Sequence, residues 1–140
     1  MQVREIMSAD VHRVHQNATV REAAEQMKTF DIGMVPVYDG DRLVGTLTDR
    51  DITLNVVAAN RDPGNTKIGE IMSPGVTYCF EDQDVNEAAK LMGDKQIRRL
   101  IVLNRDKRLI GIASLGDLAR RPGTKTPAAD ALENISRPPA

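Results

Sequence analysis

The chain has 140 residues and a formal net charge of −1, and 41% of its residues are hydrophobic, 28% charged and 3% aromatic. These values predict one folded domain or two half-sized units, and the near-neutral charge with few aromatic rings argues against a nucleic-acid partner. A single cysteine favours a cytoplasmic location, and the lack of a long apolar run argues against a signal peptide or a membrane partner.

Most of the chain is written twice in the same order. The registered pieces are EIMS at Glu5–Ser8 and Glu70–Ser73, EAA at Glu22–Ala24 and Glu87–Ala89, and RLVG at Arg42–Gly45 with RLIG at Arg108–Gly111. Their spacing is constant except for one residue inserted near Lys107. Agreement at so many positions indicates that one structural unit has been duplicated.

The first repeat predicts the element order β-α-β-β-α. A short strand precedes a helix opened by the capping box Thr19-x-x-Glu22, and two apolar strands around a turn lead to a second helix. The predicted ranges are Val11–His15, Met34–Tyr38 and Leu43–Leu47 for the strands, Asp39–Asp41 for the turn and Asp49–Asn60 for the last helix.

The second repeat predicts the same order. Its ranges are Val76–Phe80, Leu100–Leu103 and Leu109–Ala113 for the strands, a helix opened by Asp84-x-x-Glu87, and a last helix over Leu115–Arg121. One unit of this size buries its sheet poorly alone. We therefore expect an α/β (α+β) fold of two units packed across a pseudo-two-fold axis, with facing sheets and clefts between the units.

The predicted division places the first unit at residues 1–60, a polar linker at 61–67, the second unit at 68–121 and a proline-containing tail at 122–140. The tail has Pro122, Pro127, Pro138 and Pro139 around a segment, Ala128–Ile135, that permits a brief amphipathic helix. Two interpretations stay open for it: a frayed terminus, or docking on a partner subunit.

Both repeats carry the pattern G-x-x-[ST]-x-x-D where a strand gives way to a helix. Thr48 with Asp51, and Ser114 with Asp117, match a helix-capping pattern. The same spacing suits a nucleoside phosphate, because a hydroxyl at a helix start can donate to phosphate and a carboxylate can accept from a ribose diol. The glycine would then let the ligand approach the backbone closely.

The duplicated unit, its opening IMS, the VPV on a central strand and the G-x-x-[ST]-x-x-D ending together resemble a pair of CBS domains, over residues 3–121. The resemblance implies a stand-alone regulatory pair that binds adenosine ligands. It also implies that Asp51 and Asp117 hold ribose, while Thr48 and Ser114 serve the phosphate or the ribose.

The family pattern suggests further contacts. Arg98 and Arg99 lie where relatives often carry basic residues that reach phosphates, and we expect them to serve the ligand whose ribose Asp51 holds. Arg50 has either a ligand role or a surface role. Ser8 and Ser73 resemble positions near the adenine, or are simple turn and cap residues.

The leading hypothesis is a sensor module, not an enzyme, that binds AMP, ADP, ATP, NAD or S-adenosylmethionine and alters its association with an unknown regulated protein. The resemblance implies a homodimer. Two alternatives stay open: a protein-interaction module with empty clefts, and a nucleotide-processing enzyme. No metal site is predicted, because His12 and His15 project to opposite faces of a strand and lack a cysteine partner.

Overall fold

A computed structural model of the protein describes residues 1–138, and two separate sheets divide them into two compact units. The continuous unit is His12–Val76, and the split unit combines Met1–Val11 with the described residues from Thr77 onward. The first eleven residues therefore pack with the second repeat, whereas residues 68–76 pack with the first. The division of the sequence at residues 1–60, 61–67, 68–121 and 122–140 stays a prediction. Pro139 and Ala140 of the expected tail lie outside the described residues.

The continuous unit builds a four-stranded sheet in the order β1-β2-β3-β4. Strand β1 pairs in parallel with β2, and β2–β3 and β3–β4 are antiparallel. The elements are β1 Val14–His15, α1 Val20–Phe30, β2 Met34–Asp39, β3 Arg42–Thr48, α2 Asp49–Ile52, a π-helical turn Thr53–Val57, α3 Ile68–Ile71 and β4 Ser73–Pro74.

Local sequence explains the start of α1 and the turn between β2 and β3. Thr19 caps α1 through a capping box with Glu22, and the helix buries Val20, Ala23 and Met27 on one face. The turn places Gly40 at a φ of 59°, in the left-handed region that glycine adopts without steric cost. The helix face packs in one core with alternate residues of the two strands, which include Val35, Val37 and Leu47.

The split unit repeats this arrangement with a three-stranded sheet in the order β5-β6-β7. Strand β5 is parallel to β6, and β6 and β7 are antiparallel. Its elements are a 3₁₀ turn Val3–Glu5, β5 Tyr78–Phe80, α4 Val85–Lys95, β6 Arg99–Leu103, β7 Leu109–Ser114, α5 Leu115–Ala119, a second 3₁₀ turn Pro122–Thr124, and α6 Lys125–Ile135. The predicted β-α-β-β-α order is thus confirmed in both repeats.

Several predicted boundaries differ from the observed ones. The first strands are shorter than Val11–His15 and Val76–Phe80, because β1 pairs with β2 through only two residues and β5 with β6 through three. The helix expected over Asp49–Asn60 is α-helical only to Ile52 and continues as a π-helical turn. The last helix of the second repeat ends at Ala119, before the predicted Arg121.

The tail is not frayed over its described residues. Helix α6 begins at Lys125, earlier than expected, and Pro127 lies in its first turn, where no helical hydrogen bond is lost. Ala128 and Ala131 are buried in the core of the split unit itself. Close packing is possible because α4 carries Gly93, at which a Cβ would lie 3.2 Å from the Asn134 side chain.

Candidate ligand-binding site

The junction between β3 and α2 positions the first predicted pair of site residues. The Thr48 hydroxyl accepts a hydrogen bond from the Asp51 N–H at 3.0 Å, and the Asp51 carboxylate accepts one from the Thr48 N–H at 3.0 Å. This reciprocal pair is a complete capping box. It fixes the carboxylate at the helix start, and both side chains are half-buried.

A third predicted residue completes this group. Strand β4 pairs beside β3, with Ser73 opposite Thr46. The Ser73 hydroxyl lies 3.3 Å from both carboxylate oxygens of Asp51, so it donates to them as a shared, long hydrogen bond. The structure therefore brings Thr48, Asp51 and Ser73 together within the continuous unit.

The glycine of the motif makes room for another segment of the chain. A Cβ on Gly45 would lie 2.5 Å from the Ser73 carbonyl oxygen and 3.0 Å from the Met72 sulfur. A Cβ on Gly111 would lie 2.6 Å from the Met7 sulfur and 2.9 Å from the backbone oxygen of Ser8. The space that a side chain would fill at each glycine is thus taken by an IMS segment of the chain, and the expected approach of a ligand to these glycines stays a prediction.

The split unit repeats the capping geometry at the junction of β7 and α5. The Ser114 hydroxyl accepts from the Asp117 N–H at 3.0 Å, and the Asp117 carboxylate accepts from the Ser114 N–H at 2.9 Å. Ser8 and Ile112 form a β-bridge and exchange backbone hydrogen bonds of 2.8 and 2.9 Å. Ser8 thus lies beside β7 as Ser73 lies beside β3.

The environment of the second carboxylate differs from that of the first. The Arg120 guanidinium donates to Asp117 Oδ1 and forms an ion pair with it. The position that matches Arg120 in the first repeat is Leu54, which is exposed. Sequence reasoning missed Arg120, although this mismatch between two otherwise registered repeats is a readable signal.

The two arginines before the second central strand lie beside the Ser114 junction. Arg99 is directly opposite Ser114 in the β6–β7 pairing, and the Arg98 carbonyl accepts from the Leu115 N–H at 2.9 Å. Both arginines are exposed. That Arg98 and Arg99 bind the phosphates of the ligand held by Asp51 stays a prediction.

Arg50 lies on the exposed side of α2, where its own N–H donates to the Asp49 carboxylate at 2.9 Å. The matching residue of the second repeat is Gly116. Each junction therefore has an arginine nearby, but at a different position: Arg50 lies within α2, and Arg120 directly follows α5. A ligand role for Arg50 stays a prediction.

Other chemistry is limited in the part of the chain that the structure describes. Cys79 is buried, and this burial raises the pKa of its thiol to about 11, so the sulfur is a poor nucleophile near neutral pH. Within residues 1–138, no group of three or more His, Cys, Asp or Glu side chains is arranged to hold a metal ion. No helix among these residues is long and apolar enough to cross a membrane.

Comparison with known sequences identifies the family. The family model described as CBS domain matches residues 3–58 and again residues 68–123. The CBS domain-containing protein YhcV of Bacillus subtilis is 40% identical over 134 residues, which are 96% of this chain and 94% of that protein. The chain belongs to the CBS-domain family and contains two copies of the domain, as the sequence pattern predicted.

Solved structures confirm the fold. Hypoxic Response Protein I, solved with two coordinated zinc ions, matches with a TM-score of 0.76 and 37% identity over 86% of this chain and 98% of that one. The CBS domain pair of protein MJ0100, in complex with 5′-methylthioadenosine and S-adenosyl-L-methionine, matches with a TM-score of 0.78 and 30% identity over 89% and 98% of the two chains.

Proposed function

We propose that the protein is a regulatory module that binds adenosine-type ligands and changes its association with a partner protein when they bind. The observation that carries the proposal is the pair of carboxylates, Asp51 and Asp117, each fixed by a capping box at the end of a central strand. The proposed ribose-binding groups are these two carboxylates, with Thr48 and Ser114 at their sides.

The geometry at Asp51 suits a ribose diol. One hydroxyl, that of exposed Ser73, is shared between the two carboxylate oxygens at 3.3 Å, a length at which each bond is weak. The two hydroxyls of a ribose would give each oxygen its own donor, and hydrogen bonds to a charged acceptor are the stronger ones. The hydrogen bonds from the diol to Asp51 are therefore expected to be stronger than the Ser73 hydrogen bonds that they replace.

The ligand class rests on a relative and on charge. The MJ0100 pair binds S-adenosyl-L-methionine and 5′-methylthioadenosine. AMP, ADP, ATP and NAD are included because Arg98 and Arg99 are exposed and their backbone lies beside the Ser114 junction, and guanidinium groups bind phosphate through paired hydrogen bonds. Arg50, Ser8 and Ser73 complete the proposed set of contacts.

The proposed mechanism is a shift between two arrangements of the module or of its assembly. A ligand shifts such an equilibrium only as far as its affinities for the two arrangements differ. The regulated protein is a separate chain in this proposal, the module is a cytoplasmic homodimer, and it performs no catalysis. The described residues include no metal-binding cluster, and no metal is assigned.

The test is isothermal titration with AMP, ADP, ATP, NAD, S-adenosylmethionine and 5′-methylthioadenosine. Protein freed of carried-over nucleotide by unfolding and refolding is compared with Asp51→Asn, Asp117→Asn and the double variant. Asparagine keeps one oxygen to accept from the capping N–H, so folding is preserved, but one acceptor for the diol is lost. Each single variant should bind fewer ligand molecules, and the double variant none.

The matched control is Glu22→Gln, which alters a capping box in the same unit, away from the site. It should bind like the parent protein. No binding of any ligand by the parent, together with a stable dimer, would favour an interaction module instead. Turnover of ATP or NAD that disappears in Asp51→Asn would make the protein an enzyme.

A further inference from the structure

Arg120 forms an ion pair with Asp117, the second proposed ribose-binding carboxylate. Its guanidinium donates to Asp117 Oδ1, while the Ser114 N–H donates to Oδ2 at 2.9 Å. The Asp117 side chain is 14% exposed and that of Arg120 is 74% exposed. One partner is therefore held within the fold, whereas the other lies in solvent and is free to move away.

Among residues 1–138, no guanidinium pairs in this way with the matching carboxylate of the first repeat, Asp51. The residue that matches Arg120 is Leu54, and the Asp51 carboxylate accepts from the neutral hydroxyl of Ser73. The second repeat also has Gly116 where the first has Arg50, and a Cβ on Gly116 would lie 3.7 Å from Arg120 Nη1. The guanidinium therefore lies beside the backbone at 116, within contact distance of a side chain placed there.

We propose that Arg120 sets the ligand selectivity of the Asp117 site in favour of anionic adenosine compounds. A ribose must displace the guanidinium from Asp117, which disfavours every ligand equally. The displaced arginine then remains within one helical turn of the site, where it attracts a phosphate group but gives nothing to an uncharged ligand. The inference rests on the proposed function, because it takes Asp117 as a ribose-binding group.

The size of the effect follows from the exposure of the pair. An ion pair with one solvent-exposed partner contributes at most about 1 kcal/mol, which corresponds to about fivefold in a dissociation constant. Removing the guanidinium should therefore tighten the binding of 5′-methylthioadenosine by up to about fivefold. The same change should weaken the binding of ATP or leave it unchanged. ATP no longer has to displace a guanidinium from Asp117, but this gain is opposed by the loss of a positive charge near its phosphates.

The experiment measures both dissociation constants by isothermal titration in an Asp51→Asn background, which leaves the Asp117 site to report alone. Arg120→Leu installs the residue found at the matched position of the first repeat. Arg120→Lys keeps the charge and should resemble the parent. Arg121→Leu is the control for net charge, since it removes the neighbouring arginine, whose guanidinium donates to the Glu5 carbonyl at 2.6 Å.

The decisive quantity is the preference for ATP over 5′-methylthioadenosine, the ratio of their dissociation constants. A fall of more than about twofold in Arg120→Leu, absent from Arg121→Leu, supports the inference. A smaller fall, or an equal fall in both variants, overturns it while leaving the proposed function intact. Failure of ATP and 5′-methylthioadenosine to bind at the Asp117 site overturns the inference, whereas failure of all six ligands to bind the unsubstituted protein overturns the proposed function as well.

Discussion

Replacing Gly45 by alanine tests whether the IMS segment and the strand-to-helix motif form one packed structure. Gly45 is buried on β3, opposite Pro74 of β4. An added Cβ would lie 2.5 Å from the Ser73 carbonyl oxygen, and this atom belongs to the backbone, so no rotamer change can relieve the clash. Strand β4 must move away, and it carries the hydroxyl that donates to Asp51.

The expected cost is about 1 to 3 kcal/mol of unfolding free energy, the range observed when an atom group is forced into a well-packed interior. For a chain of this length, that corresponds to a melting temperature lowered by about 3 to 12 °C. The same substitution at Gly111 should also be costly but no more so, because the 2.6 Å contact is with the flexible Met7 side chain and the backbone oxygen of Ser8 would lie farther away, at 2.9 Å.

The assay is urea denaturation followed by far-ultraviolet circular dichroism, with melting temperatures as a second measure. Gly64→Ala is the matched control, because its nearest atom, an Asp62 carboxylate oxygen, would lie at an ordinary 3.5 Å and its φ is not left-handed. This variant should be neutral or slightly stabilised. Free energies for Gly45→Ala and Gly64→Ala that agree within about 0.5 kcal/mol would refute the packing argument.

Three further predictions concern single groups. Thr124→Val removes a buried hydroxyl that donates to the Leu118 carbonyl at 2.6 Å, and urea denaturation should show a loss of about 1 to 2 kcal/mol; an unchanged midpoint would contradict this. Burial raises the pKa of Cys79 to about 11 from an ordinary 9.0, so the thiol's contribution to stability is complete below about pH 9 and is lost as the pH rises towards 11. A disulfide reagent at about pH 8 should therefore label the native protein only as fast as it unfolds, and prompt labelling would contradict the burial. Glu22→Ala breaks the capping box with Thr19 and should lower the free energy of unfolding by about 0.5 to 1 kcal/mol while leaving ligand affinity unchanged. A weaker affinity measured by isothermal titration calorimetry would contradict this prediction.

The local parts of the candidate site were predictable because they depend on neighbouring residues. A hydroxyl three residues before an acid closes the same capping box whatever surrounds it, so Thr48 with Asp51, and Ser114 with Asp117, lie together as expected. The expected approach of a ligand to Gly45 stays a prediction for the opposite reason. A glycine shows only that something approaches closely, and the approaching atom belongs to Ser73, which is distant in the sequence.

The tail shows the same limit in the fold. The spacing of its alanine and leucine residues predicted a possible helix, but the tail sequence did not show which surface of the protein that helix packs against. The answer lies in α4, where Gly93 replaces the Lys28 of the first repeat and leaves room for α6. Only a side-by-side reading of the repeats makes that difference visible, and even then it predicts space rather than its occupant.

The sequence alone determined the duplication, the β-α-β-β-α order and the chemical groups at each strand-to-helix junction, because these follow from periodicity, capping and turn residues within a few positions. The tertiary structure decided which segment completes each unit. The two EIMS segments are identical, so nothing local separates them, yet Ser8 bridges to Ile112 of the second repeat and Ser73 pairs beside β3 of the first. Each EIMS segment is assigned to its unit by backbone hydrogen bonds to the edge strand, β3 or β7, and by burial of its apolar residues in the core of that unit. These interactions form only when segments distant in the sequence come together, so local sequence does not predict them.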